Sequence, residues 1–215
     1  MMNPYTYADS EIARMRTFVN AEFHNAVNEL PFDEMNVAKV KKRAKRLFSR
    51  LADRNREACE RIAKRAYEEA VREAEEARFS PVSVDEKIGS LLALALFRGY
   101  HPVTEYVYNN EVIRKRDRFT ESVSSARNRN AVRNAYDKAT RLWFGQSRQY
   151  ADLAVDVARE EAFRDAGVRR VRWIAILDKK TCAKCKERDG KIYLLSEVPD
   201  KPHRGCRCYT IPVKD

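Results

Sequence analysis

Glycine and proline are scarce in this chain, six and seven among 215 residues. A turn-dense architecture is thereby excluded, and the composition reads as long helices with few turns. Long apolar runs are missing too. The longest, Leu91 to Phe97, is far short of the ~20 residues that span a bilayer, so no membrane span is expected. The first residues, Met1-Met2-Asn3-Pro4-Tyr5-Thr6-Tyr7, lack a basic stretch followed by an apolar one, so no secretory signal is expected either. A chain kept in a reducing cytosol uses clustered cysteines for metal or catalysis more often than for disulfides.

Catalytic signatures are equally absent. No glycine-rich phosphate loop, no paired histidines of a zinc hydrolase and no Ser-His-Asp spacing occur. A histidine beside a zinc knot suggests small metal-dependent nucleases. Those need a second His or Asn and an open metal position, which this sequence does not offer. The chain is therefore not expected to be an enzyme.

Charge is abundant. Charged residues make up 35% against the ~25% usual for globular domains, and 43 basic against 32 acidic residues leave a formal net charge of +11. Such an excess suits contact with nucleic acid or an acidic protein surface. It is concentrated in two places. Lys39, Lys41, Lys42, Arg43, Lys45, Arg46 and Arg50 form a run without an acid. Arg114, Lys115, Arg116 and Arg118, with Arg127, Arg129 and Arg133 beyond, form another. Duplex DNA would reward these surfaces through counterion release, without sequence readout. The plainer alternative is a solvated helix balanced by Glu68, Glu69, Glu73, Glu75 and Glu76 further along.

The apolar pattern predicts a first helix over about Asp9 to Leu30, with Ile12, Met15, Val19, Phe23 and Val27 on one face, stopped by Pro31. Asp33 has the character of an N-cap for a much longer helix, extending to Pro81 and too long for a compact domain of this size. Ser83 and Glu86 form a capping box that opens a helix containing the wholly apolar 91–97 stretch. A shorter helix is expected from Val103 to Lys115. A last long one follows from Thr120 to Ala166, with Gly145 a possible bend and Gly167 a C-terminal cap. Beyond Gly167 the texture changes. Val171 to Leu177 and Lys191 to Leu195 read as strands joined through the turn signal Asp189-Gly190, and Tyr209 to Val213 is a candidate third. The expected fold is mainly α: an elongated helical body, residues 1–167, and a small C-terminal α+β zinc-binding module with a β-hairpin, residues 168–215.

Four of the five cysteines fall within that module, as Cys182-x2-Cys185, seventeen residues, then His203-x2-Cys206-x-Cys208. Two thiolates on one tight turn can grip a zinc ion at ~2.3 Å, and a second pair from a distant turn completes a tetrahedron. Five donors compete for about four places. The favoured set is Cys182, Cys185, His203 and Cys206, with Cys208 the alternative to His203. A site whose four ligands are all protein groups is closed and structural, and a segment this small can use a metal staple. Lys184, Lys186, Arg204 and Arg207 are basic neighbours that favour thiolates. Two disulfides, or reduced and unligated cysteines in a small core, are the competing readings. Cys59 lies within the long helix as a small buried residue; His24 and His101 have no companions at ligand spacing.

Several short motifs occur in a particular order: Ala158-Arg159-Glu160-Glu161, Trp173-Ile174-Ala175-Ile176-Leu177-Asp178, Thr181-Cys182-x-x-Cys185, Asp189-Gly190-Lys191 and His203-x-x-Cys206-Arg207-Cys208. Over roughly residues 150–213 this resembles the phage Mu F-like head morphogenesis family, the minor head or minor capsid proteins of tailed phages. Two departures stand out: Glu160 where that family commonly has Thr, and Arg204-Gly205 where Pro-Asn is common. Neither removes a ligand. The resemblance implies a protein made in the host cytoplasm and built into the head interior. Its implied partners are the portal protein and, among the possibilities, major capsid or scaffold proteins, with a role in head assembly and DNA packaging or delivery. A zinc-containing nucleic-acid-binding regulator is the alternative.

Overall fold

The computed structural model describes residues 3–28, 36–84, 105–179, 181–203 and 205–214. Among them are five α-helices, α1 (Thr6–Asn28), α2 (Val37–Glu76), α3 (Glu105–Ser124), α4 (Arg129–Asp165) and the short α5 (Ala183–Arg188). Three strands, β1 (Arg170–Ile174), β2 (Ile192–Leu194) and β3 (Tyr209–Val213), complete the order. The chain is thus mainly helical, with a small sheet and a cysteine/histidine cluster near its C-terminus. None of the described helices is long and apolar enough to cross a membrane.

Helix ends follow local chemistry. Asn36 caps α2, its side chain accepting from the Lys39 amide at 2.9 Å; Asp33, the expected cap, lies outside the described residues. So do the Glu86 end of the capping box, the 91–97 stretch and His101. The break placed between Lys115 and Thr120 is not there. α3 runs through to Ser124, and Asn128 starts α4 by accepting from the Ala131 amide at 2.8 Å. The cause is Phe119, Thr120 and Val123, whose buried positions continue the inward face of α3 across the basic run. α4 passes through Gly145 as one helix. Its end is as expected: Gly167 takes φ +75°, and the Val168 amide reaches back to the Phe163 carbonyl at 2.9 Å.

The chain forms two compact units. One comprises residues 10–58 and 104–148, and its core is aromatic. Phe23 meets Phe48, Phe119 and Tyr136 edge-on, and Phe48 meets Trp143 in the same way, with ring centroids 5.6–6.1 Å apart. The Tyr136 hydroxyl donates to the Ala26 carbonyl at 3.2 Å.

The other unit comprises residues 1–9, 59–103 and 149–215. Small residues line its buried helix faces: Ala63, Ala66, Ala70 and Ala74 from α2, and Ala151, Ala154, Ala158 and Ala162 from α4. The alanine-rich half of α2 is therefore covered within this chain. The sheet has the order β2-β1-β3, all antiparallel. β1 alternates as strands do, with Val171 and Trp173 buried and Arg170 and Arg172 outward. Pro212 is tolerated because β3 is an outer strand. The β1–β2 pair is not a tight hairpin, since α5 lies in the connection. Asp189-Gly190 closes it instead, with the Gly190 amide donating to the Trp173 carbonyl at 2.8 Å and the Asp189 carboxylate accepting from the Ala175 amide at 2.8 Å.

The secondary structure switches from helix to strand at Gly167, but the compact unit holding the strands extends back across it. Arg159 of α4 is the clearest tie. It is 3% exposed and grips Glu73 of α2 with both terminal nitrogens, at 3.1 and 2.7 Å. It also donates to the Thr210 carbonyl of β3 at 2.9 Å and lies against the rings of Phe163 and Tyr209. A planar fork that bonds a carboxylate and a carbonyl at once is a task for arginine and not lysine.

Candidate metal centre

The first cysteine pair is set by the start of α5. Cys182 is its N-cap, in extended conformation, and its sulfur accepts from the Cys185 amide at 3.4 Å. One helical turn brings the two sulfurs to 3.3 Å. Just ahead, Thr181 fastens the approach: its hydroxyl donates to the Ile176 carbonyl and accepts from the Asp178 amide at 2.8 Å. The second pair comes from the turn before β3. Gly205 there adopts φ +70°, and the Cys206 amide donates to the His203 carbonyl at 3.3 Å.

The two turns meet. Cys185 Sγ lies 3.5 Å from Cys206 Sγ and 3.9 Å from His203 Nε2. Cys182, Cys185 and His203 form one triad whose donor atoms all lie within 4.8 Å of one another; Cys185, Cys206 and Cys208 form a second. Cys185 belongs to both. Sulfurs bound tetrahedrally at ~2.3 Å would stand ~3.8 Å apart, so the donor set fits a metal ion with small adjustments. Both candidates for the fourth ligand are brought to the site. Cys208 is buried and His203 exposed. The sulfurs of Cys185, Cys206 and Cys208 form a small core with Trp173 and Ala175, against which Cys182, Tyr193 and Val198 pack.

The thiols differ in acidity. The Cys206 thiol is pulled down to about 5, chiefly because the Cys208 thiol donates to it; Cys208 is raised correspondingly. The Cys182 thiol is lowered by the Cys185 amide that its sulfur accepts, whereas burial pushes Cys185 up to about 11. Cys59, a fully buried thiol pushed up to about 12 by burial, takes no part. Of the basic neighbours that the sequence offers, one is seen in an ion pair of its own. Arg207 pairs with Asp178, Arg204 lies outside the described residues, and the cation that lowers Cys206 is Lys201.

Lys201 belongs to a group that spacing could not reveal. Its ammonium donates to the Cys206 carbonyl at 3.2 Å, to Asp156 of α4 at 2.7 Å and to the Tyr5 hydroxyl. Tyr5 is wholly buried, and its hydroxyl contacts Asp156 and, at 3.1 Å, the Cys208 carbonyl. A phenol has one proton, so these two acceptors share it. Burial, and then the Asp156 charge, raise its pKa, which keeps the phenol protonated. The backbone of the Cys-x-Cys turn is thereby tied to the N-terminal segment and to α4.

The basic residues from the two runs lie elsewhere, in the other unit. Lys39, Lys41, Lys42, Lys45, Arg46 and Arg50 of α2 are exposed, with Arg43 half-buried. In α3, Arg114 and Arg118 are exposed while Lys115 and Arg116 are half-buried. Arg50 pairs with Glu22, Arg114 with Glu111 and Arg116 with Asp117. His24 is exposed.

In comparisons with known proteins, no family model, no curated protein and no solved structure matches this chain.

Proposed function

We propose that this chain is a minor head protein of a tailed phage, held inside the head at the portal, and that a structural zinc ion staples its C-terminal strands. Cys182, Cys185 and Cys206 supply three ligands, with His203 or Cys208 the fourth. The observation that carries the reading is the convergence of the Cys-x2-Cys and His-x2-Cys-x-Cys turns on one cluster. Those same motifs, in that order, underlie the resemblance to the Mu F-like family. Five protein donors leave no coordination place that a substrate or water needs, so the ion's role is to hold two turns together.

Two measurements test this. Elemental analysis of the reduced, purified chain should give one zinc per molecule; less than a tenth of an equivalent sinks the metal reading. Co-expression with the portal protein of the same genome should yield a complex, and assembled heads should contain the chain. A zinc-containing nucleic-acid-binding regulator would carry the zinc yet be absent from heads.

A further inference from the structure

The two basic runs, some seventy residues apart in sequence, meet in the fold. A groove of about 590 Å³ lies between α2 and α3, within a single unit. Lys41 and Lys45 line it from α2 and Arg116 from α3, together with Asp117, Thr120 and Glu121. Lys41 and Lys45 stand one turn apart on the same helix face, ~6 Å along the axis, and both are exposed. Arg116 pairs with its neighbour Asp117, at 2.9 and 2.7 Å. With the Asp117 side chain 59% exposed, this is a weak surface pair that a stronger anion can displace. The Thr120 hydroxyl is occupied, donating to the Arg116 carbonyl at 2.8 Å. Among the described residues no aromatic side chain lines the groove, so they offer unpaired bases nothing to stack on. Cations spaced along a helix, with Lys42 and Arg46 exposed beside them in sequence, suit instead a continuous line of phosphates.

We propose that the α2–α3 groove binds the phosphate backbone of duplex DNA, without sequence readout, through Lys41, Lys45 and Arg116. Asp117 and Glu121 sit in the same groove as brakes, repelling phosphate and keeping the attachment weak and reversible. The proposal does not rest on the metal site, which lies in the other unit.

The experiment uses the full chain, with a labelled mixed-sequence duplex of ~24 base pairs titrated by fluorescence anisotropy between 50 and 200 mM salt. Lys41→Gln with Lys45→Gln should lower the slope of log affinity against log salt by about two, at ~0.9 per phosphate contact. It should also weaken binding at 50 mM at least tenfold. Asp117→Asn and Glu121→Gln should each tighten binding severalfold, a gain that misfolding could not produce. Lys64→Gln with Lys179→Gln removes the same charge from exposed lysines of the other unit and should change affinity less than threefold. Equal loss from the remote pair would reduce the effect to net charge and overturn the groove. So would acid-removal variants that bind no better, or a wild-type chain that does not bind at 50 mM.

Discussion

Tyr5 shows how much a single side chain can decide. Its hydroxyl reaches the Cys208 carbonyl, while Lys201, bonded to the same hydroxyl, reaches the Cys206 carbonyl. These contacts fix the backbone on which two of the sulfurs ride. Groups that orient ligands commonly change metal affinity by 10–100-fold when removed. Tyr5→Phe keeps the buried ring and loses only the hydroxyl. With zinc bound as proposed, it should therefore leave the stoichiometry at one but speed zinc transfer to a chromogenic chelator about tenfold. Tyr7→Phe, two residues on, should not. Equal transfer rates for wild type and Tyr5→Phe would mean that the hydroxyl serves only to satisfy Asp156. Nothing in the spacing of the sequence points to Tyr5, Asp156 or Lys201. The nearest signal is a tyrosine in a polar N-terminal segment, and its partners stand 151 and 196 residues away. The five candidate donors, by contrast, were legible because the demands of coordination repeat at fixed short spacings. Arg159 lies between these cases: its motif was visible, but its task, joining α2, α4 and β3, emerges only when all three are assembled.

At the scale of elements, the ends that were legible are those with dedicated residues. Gly167 closes α4 in the left-handed conformation that glycine accepts without strain. The end of α2 was not legible, because the same geometry is built without glycine. The Phe79 amide reaches the Ala74 carbonyl at 3.0 Å and the Arg78 amide the Glu75 carbonyl at 2.8 Å, so Arg78 stands where Gly usually does, with φ 66°. A side chain in that region costs ~1–2 kcal/mol, part of which glycine's greater freedom in the unfolded chain would offset. Arg78→Gly should accordingly stabilise the protein by ~0.5–1 kcal/mol and raise Tm by ~2 °C, and Arg78→Val should lower it. Thermal unfolding with the metal loaded is the measurement. A lower Tm for Arg78→Gly would show that the arginine side chain makes contacts worth more than the strain. The misplaced break between α3 and α4 has a related cause. A cluster of arginines resembles a loop when judged by polarity, yet Phe119 and Val123 keep the helical rhythm beneath it.

For the whole molecule the consequence concerns how far the effect of the proposed metal would travel. Judged from composition, the last 48 residues make a self-contained module, and losing the metal would unfold them alone. The packing implies otherwise. β3 is bound to Arg159, Arg159 to Glu73, and the Cys-x-Cys turn to Tyr5 and Asp156, all inside one compact unit. The described residues from 168 to 214 therefore share their supports with residues 3–9 and with segments of α2 and α4. Removing the metal should loosen all of these together. Arg159 would suffer most, because a buried guanidinium that loses its carbonyl partner has Glu73 as its remaining hydrogen-bond acceptor against its desolvation. Hydrogen exchange followed by mass spectrometry, before and after chelation, reads this directly. Peptides covering residues 3–9, 150–165 and 170–213 should gain exchange together and at one rate, as a cooperative unit does. Peptides from residues 40–55 and 130–145, in the aromatic unit, should keep their protection. If exchange rose only beyond residue 167, the C-terminal segment would be an independent module and the Arg159 and Tyr5 ties would be energetically idle. If it rose everywhere, the two units would unfold as one.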